Sequence, residues 1–120
     1  MLVIPVVDIK LVRGDDKLLE LQFSRDDVPI DITGWTVFFT MKLATDKDLT
    51  DASAILKKNI TSHTDPTNGI TQLSIDHEET APLDANYIYD IQTKDTLGKI
   101  TTVLIGQVIV EMDITRRITV

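Results

Sequence analysis

The sequence predicts an all-β domain in which two layers of strands pack as a sandwich. Short runs of alternating apolar and polar residues recur along the chain. Turn-forming residues separate them at intervals of roughly 10 to 15 residues, which is typical of sandwiches. No segment of useful length repeats its apolar residues with helical spacing. We therefore expect about seven antiparallel strands, buried on one face and solvated on the other.

The longest candidate hairpin runs from Leu83 to Met112. It turns at 95–98, where Gly98 accepts a positive φ at little steric cost. Tyr87, Tyr89 and Ile91 fall on one face of its first strand. In its second strand, the residues predicted to share a face are Ile100, Thr102, Leu104, Val108, Val110 and Met112.

Three further strands are predicted in the amino-terminal half. Residues 3–12 suit a sheet edge, because Pro5 cannot donate a ladder hydrogen bond. After a turn at 13–16, alternation over 19–23 predicts the second strand. Residues 35–42 predict the third, whose side chains on the core face are Trp35, Val37, Phe39 and Met41.

The segment before the hairpin supplies the remaining elements. Residues 54–60 predict an edge strand, since Lys57 and Lys58 are charges that suit an edge. The Asn68-Gly69 pair predicts a turn, and 70–75 a strand. Asp76 is expected to cap one helical turn, with Glu79 completing a capping box.

The order of these elements favours an immunoglobulin-like sandwich, as a single domain over residues 1–120. In such domains a tyrosine at the start of the penultimate core strand bonds back to its own corner. Tyr87 occupies that place, so we expect its hydroxyl to bond to the backbone near residues 81–84. Trp35 lies on the third strand, as in that family.

Composition excludes several classes of function. Hydrophobic residues make up 42% of the 120 residues, which suffices for one core. The net charge of -7 argues against nucleic acid as the main partner. The chain has no cysteine, so it forms no disulfide and no thiolate site. Neither a signal peptide nor a membrane span is expected, because the opening apolar run is short and lacks a basic flank.

No arrangement of residues indicates catalysis or a cofactor. His63 and His77 lie in polar turns without the spacing of a zinc helix. The segment 46–51 resembles a calcium loop only vaguely, because it lacks the turn glycine of an EF-hand. Arg13-Gly14-Asp15 is interpreted as a turn rather than an integrin ligand. The acidic pairs interpreted as solvated charges are Asp15-Asp16, Asp26-Asp27 and Glu78-Glu79.

Four stretches, taken in order, resemble the amino-terminal domain of phage baseplate upper proteins. They share with it a charged turn before a strand, an apolar-x-Gly entry into an aromatic strand, an Asn-Gly turn and a tyrosine-rich strand. The stretches are Ile9–Phe23, Pro29–Lys42, Asn68–Ile70 and Ala85–Gln92. The resemblance implies a structural part of a tail or baseplate, without catalytic residues. Such proteins usually continue into a linker and a trimeric or receptor-linked region, whereas this sequence stops at Val120, so we expect a stand-alone virion or prophage module.

Three classes of function follow. The first is a structural assembly protein of a phage particle, made in the bacterial cytoplasm and binding other virion proteins and itself. The second is a carbohydrate-binding module, which would need exposed aromatic residues, whereas most of those present fit the core. The third is a small hydrolase using paired carboxylates, which would need a pocket holding two of them.

One sheet face is the predicted contact surface. With Tyr87 and Tyr89 inward, five apolar side chains point outward where a monomer would carry polar ones. These interface residues are Phe38, Ile88, Val103, Ile105 and Ile109. Two alternatives remain: the first strand or residues 111–120 cover this face, or a bulge at Gly106 changes the phase of the later residues.

Overall fold

The strands of the domain range in length from 2 to 12 residues. A computed structural model describes residues 7–46 and 51–112. Over these residues the helical elements are α1 (His77–Thr80) and three single turns of 3-10 helix at Ala44–Asp46, Asp51–Ser53 and Pro66–Asn68. The strands are β1 (Ile9–Val12), β2 (Lys17–Gln22), β3 (Ser24–Arg25), β4 (Val28–Pro29), β5 (Thr36–Leu43), β6 (Leu56–Ile60), β7 (Ile70–Ile75), β8 (Tyr87–Lys94) and β9 (Ile100–Glu111).

Two layers form the predicted sandwich. One is a five-stranded sheet in the order β1-β9-β8-β5-β6, and the other pairs β2 with β7. The strands β3 and β4 make a separate small hairpin. All pairings are antiparallel except that of β1, which runs parallel to β9. The all-β sandwich is confirmed, and its seven longer strands match the expected number.

The core lies between the layers, where alternate side chains of both sheets meet. The strand β5 buries every second residue, and β8 does the same. The rings of Phe39 and Tyr89 pack with centroids 5.6 Å apart. The buried cluster consists of Ile9, Leu11, Val37, Phe39, Met41, Leu73, Ile75, Leu83, Tyr87, Tyr89, Ile91 and Val108.

A β-bulge in β9 corrects the predicted phase of that strand. Ile91 pairs with Leu104, whereas Gln92 pairs with Thr102, so Val103 is an extra residue. Because the bulge shifts the alternation, Leu104 shares the inner face with Val108 and Val110, while Ile100 and Thr102 fall on the outer face. The bulge therefore lies at Val103, three residues before the glycine that the sequence suggested.

Gly106 instead allows the backbone at Val7 to lie close to the backbone of β9. A Cβ at this position would lie 1.9 Å from the carbonyl oxygen of Val7 and 2.9 Å from the Tyr89 ring. Val7 donates its amide to Ile105 at 2.9 Å, and the Tyr89 hydroxyl donates to the Val7 carbonyl. Burial raises the pKa of Tyr89, and the Asp8 carboxylate raises it further. Gly106 thus lets the chain before β1 lie against β9 and Tyr89.

The expected core position of Trp35 is wrong. Its amide donates to Ile32 O at 2.9 Å, and Gly34 has a φ of 81°. This turn ends before β5 begins at Thr36, so Trp35 does not follow the alternation of the strand. Trp35 is only partly buried and stands outside the core cluster, whereas Ile32 is fully buried.

The capped helical turn is confirmed. Asp76 accepts the Glu79 amide at 3.0 Å, and the Glu79 carboxylate accepts the Asp76 amide at 3.1 Å. Glu79 also pairs with Lys58 of β6 at 2.6 Å. The buried hydroxyl of Thr80 accepts the Gly14 amide at 3.0 Å and donates to Asp15 O at 2.8 Å. These bonds hold the 13–16 turn against α1, consistent with a structural turn.

The predicted edge strands lie at the sheet edges. β1 and β6 end the five-stranded sheet on its two sides. For β1, the described strand begins at Ile9. The expectations for residues 1–6, 47–50 and 113–120 lie outside the described residues.

Candidate functional site

The outer face of the five-stranded sheet carries four of the five predicted interface residues. Phe38 and Ile88 alternate with buried neighbours on β5 and β8. Ile105 and Ile109 alternate with inner residues of β9 beyond its bulge. Val103, the bulge residue, packs against the core cluster instead. The assignment of this face as an interface stays a prediction.

Three isoleucines form a cluster near one end of this face. Ile88 pairs with Gln107, so Ile105 and Ile109 are its two diagonal neighbours on β9. Diagonal side chains on one face are close enough for long aliphatic groups to touch. On β1, Lys10 is the direct partner of Ile109, so Val12, two residues further on, is a diagonal neighbour of Ile109 on the same face. We call Ile88, Ile105 and Ile109 the isoleucine cluster.

Phe38 stands apart from the isoleucine cluster. It pairs with Gln92 on one side and Asn59 on the other. The pair of Thr40 and Asp90 occupies the next position along the sheet toward Ile88. The apolar surface is therefore two patches with polar residues between them, rather than the single patch that the sequence predicts.

The described part of β1 does not cover this face. It pairs in the plane of the sheet, with Ile9 opposite Val108 and Val12 opposite Glu111. Val12 and Ile105 remain 39% and 38% exposed. Charged partners adjoin the cluster: Lys42 pairs with Ile88, and Asp90 with Ile105. An apolar centre with a charged border is typical of a protein contact surface.

A second feature, the tryptophan pocket, lies at the turn of the β8–β9 hairpin. It is an open depression of about 490 Å³. The β3–β4 hairpin, the entry to β5 and the β8–β9 turn all contribute to it. Its lining residues are Arg25, Asp26, Val28, Pro29, Ile30, Trp35 and Asp95. The pocket and the isoleucine cluster stand toward opposite ends of the hairpin, since Asp95 follows β8 and Ile88 is its second residue.

Partly buried polar contacts hold the backbone of Trp35, which lines this pocket. His63 Nε2 lies 2.8 Å from Trp35 O, and its Nδ1 lies 2.9 Å from the Thr71 hydroxyl. Because a carbonyl only accepts, Nε2 donates to Trp35 O, while Nδ1 shares a hydrogen bond with the Thr71 hydroxyl. Both nitrogens of His63 are thus occupied in holding the entry to β5. This histidine has a structural role.

Two aspartates anchor the turns around Trp35. Asp31 accepts the amide and the hydroxyl of Thr33, and the hydroxyl bond, followed by the amide bond, lowers the pKa of Asp31. Asp95 Oδ1 accepts the amides of Leu97 and Lys99, each at 2.9 Å. These bonds preform the turns that border the pocket.

The tip of the β3–β4 hairpin has an unusual backbone. Asp26 and Asp27 have φ values of 52° and 64°. A two-residue turn with positive φ at both positions favours Asn, Asp and Gly, of which Gly is the least strained. Among the described residues, the side chains of Arg25 and Asp26 make no hydrogen bond or ion pair. Both groups are therefore available to a ligand.

No other chemistry is assembled in residues 7–46 and 51–112. No group of three or more His, Asp or Glu side chains there is placed to hold a metal ion. His77 lies 3.1 Å from Asp16 and belongs to the contact between α1 and the 13–16 turn. In the same part of the chain, no helix has the length and apolar character that a membrane span needs.

The described residues form an all-β sandwich domain of two packed sheets. The sequence model of the family described as "BppU N-terminal domain" matches residues 5–83, more than half of the chain. The chain therefore belongs to the BppU N-terminal domain family, the amino-terminal domains of baseplate upper proteins. This family carries a structural role in the phage baseplate.

Similarity to solved structures concerns the fold alone. The chain resembles the PmoD soluble domain from Methylocystis sp. ATCC 49242 with a TM-score of 0.52 and 8% identity. The match covers 85% of this chain and 77% of that one. The comparison with curated proteins gave no match.

The sequence does not predict the tryptophan pocket, because strand alternation places Trp35 on the core face. A local turn motif nevertheless indicates that Trp35 is out of phase with the strand. Asp31-Ile32-Thr33-Gly34 combines an aspartate that caps its own turn with a glycine suited to positive φ. Such a turn displaces the next residue from the phase of the strand that follows.

Proposed function

We propose that this domain is an assembly element of a phage or prophage particle, located in its tail or baseplate, and that it acts through protein–protein contacts. The observation that carries the proposal is the isoleucine cluster on the outer face of the sheet. Family membership supports the location in the virion. The partner is a second copy of the chain or a neighbouring virion protein. We propose neither catalysis nor nucleic-acid or membrane binding.

The size of the cluster sets the strength of this contact. Three isoleucines contribute roughly 1.5–3 kcal/mol each when buried on association. Lost translational and rotational freedom costs about 4–15 kcal/mol. The cluster alone therefore gives a weak contact, and a stable interface of about 800 Å² per partner must also include neighbouring residues. Val12 and Phe38 are the nearest apolar candidates.

Weak contacts suit a particle in which many copies are held close together. Once one contact places a domain beside its neighbour, the effective concentration for the next contact is high. The isolated domain should thus associate only at high concentration. In the particle, the same face should be fully occupied.

Sedimentation velocity over a concentration series tests this proposal. The test variant is Ile88→Asp/Ile105→Asp, which places two charges in the cluster. The matched control is Leu18→Asp, because Leu18 is 60% exposed on β2 in the other layer. We expect the wild type and the control to self-associate, or to bind a baseplate neighbour, and the double variant to remain folded and monomeric. Equal association of all three proteins would contradict the proposal.

A further inference from the structure

We propose that the tryptophan pocket binds a saccharide. This goes beyond the assembly role, because the pocket is separate from the isoleucine cluster and shares no residue with it. The sequence argues against a carbohydrate-binding role, because most aromatic residues fit the core. This argument does not hold for Trp35, since its indole is partly exposed in an open pocket.

The pocket offers a platform and a suitable volume. A pyranose ring presents a face of C–H groups that packs on an aromatic surface, and Trp35 supplies the largest such surface of any side chain. Pro29 and Ile30 extend the apolar lining beside it. The volume of about 490 Å³ lies within the range of small-molecule sites, about 300–1,000 Å³. One or two sugar rings are the class of ligand that fits.

The charged groups of the pocket suit hydroxyl groups rather than a single ion. Asp26 and Asp95 contribute acceptors, and Arg25 contributes donors. Charges of both signs disfavour a ligand that carries one strong charge. A ring of hydroxyls both donates and accepts, so it satisfies the two carboxylates and the guanidinium together. Because Asp95 Oδ1 is already occupied by two amides, Oδ2 is the oxygen available to the ligand.

The arrangement is largely preformed. His63 holds the Trp35 carbonyl, and the Asp95 turn is closed by its own side chain. Little ordering is then needed on binding, which favours affinity for a small ligand. Asp26 lines the pocket although its φ is positive, a conformation in which glycine would make the less strained turn but would offer no side chain.

Trp35 is the only tryptophan of the chain, so its fluorescence reports directly on the pocket. A glycan array selects candidate saccharides, and each soluble hit is then titrated against the intact protein while the emission of Trp35 is followed. The matched variants are Asp26→Asn and Asp27→Asn. Both keep a residue that tolerates positive φ, but only Asp26 lines the pocket.

We expect a saturable change in Trp35 emission with at least one array hit. Asp26→Asn should weaken binding several-fold, whereas Asp27→Asn should leave it unchanged. Trp35→Ala, followed by calorimetry, should weaken it about tenfold or more. A lack of any array hit would overturn the proposal, as would hits that leave the emission unchanged or bind Trp35→Ala equally well. Quenching by an arginine-containing control peptide, without any saccharide effect, would assign the pocket to a protein partner instead.

Discussion

The hydroxyl of Tyr87 accepts a hydrogen bond from the backbone amide of Asp84, with the two atoms 3.2 Å apart. This contact closes the corner between α1 and β8. It confirms the tyrosine corner expected from the position of Tyr87 at the start of the penultimate strand. The ring itself is 4% exposed, so the corner is anchored in the core.

Removing the Tyr87 hydroxyl should cost about 1 kcal/mol of unfolding free energy, the usual net value of one hydrogen bond. Tyr87→Phe leaves the ring packing unchanged and deprives the Asp84 amide of its partner. Urea denaturation of the variant and the wild type measures the difference. An unchanged midpoint would show that the corner bond contributes nothing.

Gly69→Ala should be strongly destabilising. A Cβ at Gly69 would lie 2.5 Å from Phe23 O and 2.7 Å from Ile30 O, and its φ is 72°. Gly98→Ala is the matched control, because Gly98 has a φ of 84° and nothing within 4 Å. The control should lose about 1–2 kcal/mol from the left-handed backbone alone. Gly69→Ala should lose roughly 1–3 kcal/mol more by overpacking. Equal losses in thermal unfolding would contradict the close approach.

Trp35→Ala should cost clearly less stability than a deletion in the core. Phe39 is fully buried, so Phe39→Ala should lose about 3–5 kcal/mol. Trp35 lines an open pocket, and its removal leaves no closed cavity. The emission of the folded protein should also lie between that of a fully buried indole and that of a hydrated one, because Trp35 is partly buried. A strongly blue-shifted emission, or a loss equal to that of Phe39→Ala, would return Trp35 to the core.

The stability of the domain should fall in alkaline solution through Tyr89. Burial, followed by the Asp8 carboxylate, raises the pKa of Tyr89 above its usual value of 10.0. The folded state therefore holds the proton longer than the unfolded chain does. The stabilisation is fully present below pH 10.0 and is lost as the pH rises through the folded pKa. The difference in unfolding free energy between the wild type and Tyr89→Phe should therefore narrow as the pH rises above 10.0. A difference in unfolding free energy, measured by urea denaturation, that stays constant with pH would contradict this expectation.

Local pattern was sufficient for most of the fold. Alternation located β5, β8 and β9, because each buries one face and keeps that phase for several residues. The capping box of α1 was also readable, since Asp76 and Glu79 have the spacing that the motif requires. These features depend on neighbours in sequence.

Features that depend on distant contacts were not predicted. The bulge at Val103 arises from the pairing of β9 with β8, and it changes which residues of β9 face outward. The division of the outer face into two patches follows from the positions of Thr40 and Asp90 in the paired strands. The tryptophan pocket needs three separate turns to meet. None of these relations has a signal within a single segment.

A single cysteine can be introduced on the outer face of the five-stranded sheet and labelled there. The chain contains no cysteine, so one introduced thiol is unique. Ile105→Cys places it in the isoleucine cluster, and Leu18→Cys places it on the other layer, where Leu18 is 60% exposed.

Maleimide labelling of these two thiols, in the isolated domain and in purified particles, tests the central claim most directly. If the isoleucine cluster is the assembly surface, the thiol at position 105 reacts in the dilute domain and is protected in the particle. The thiol at position 18 then reacts in both. A thiol at position 105 that reacts equally fast in the particle and in the isolated domain would contradict the claim.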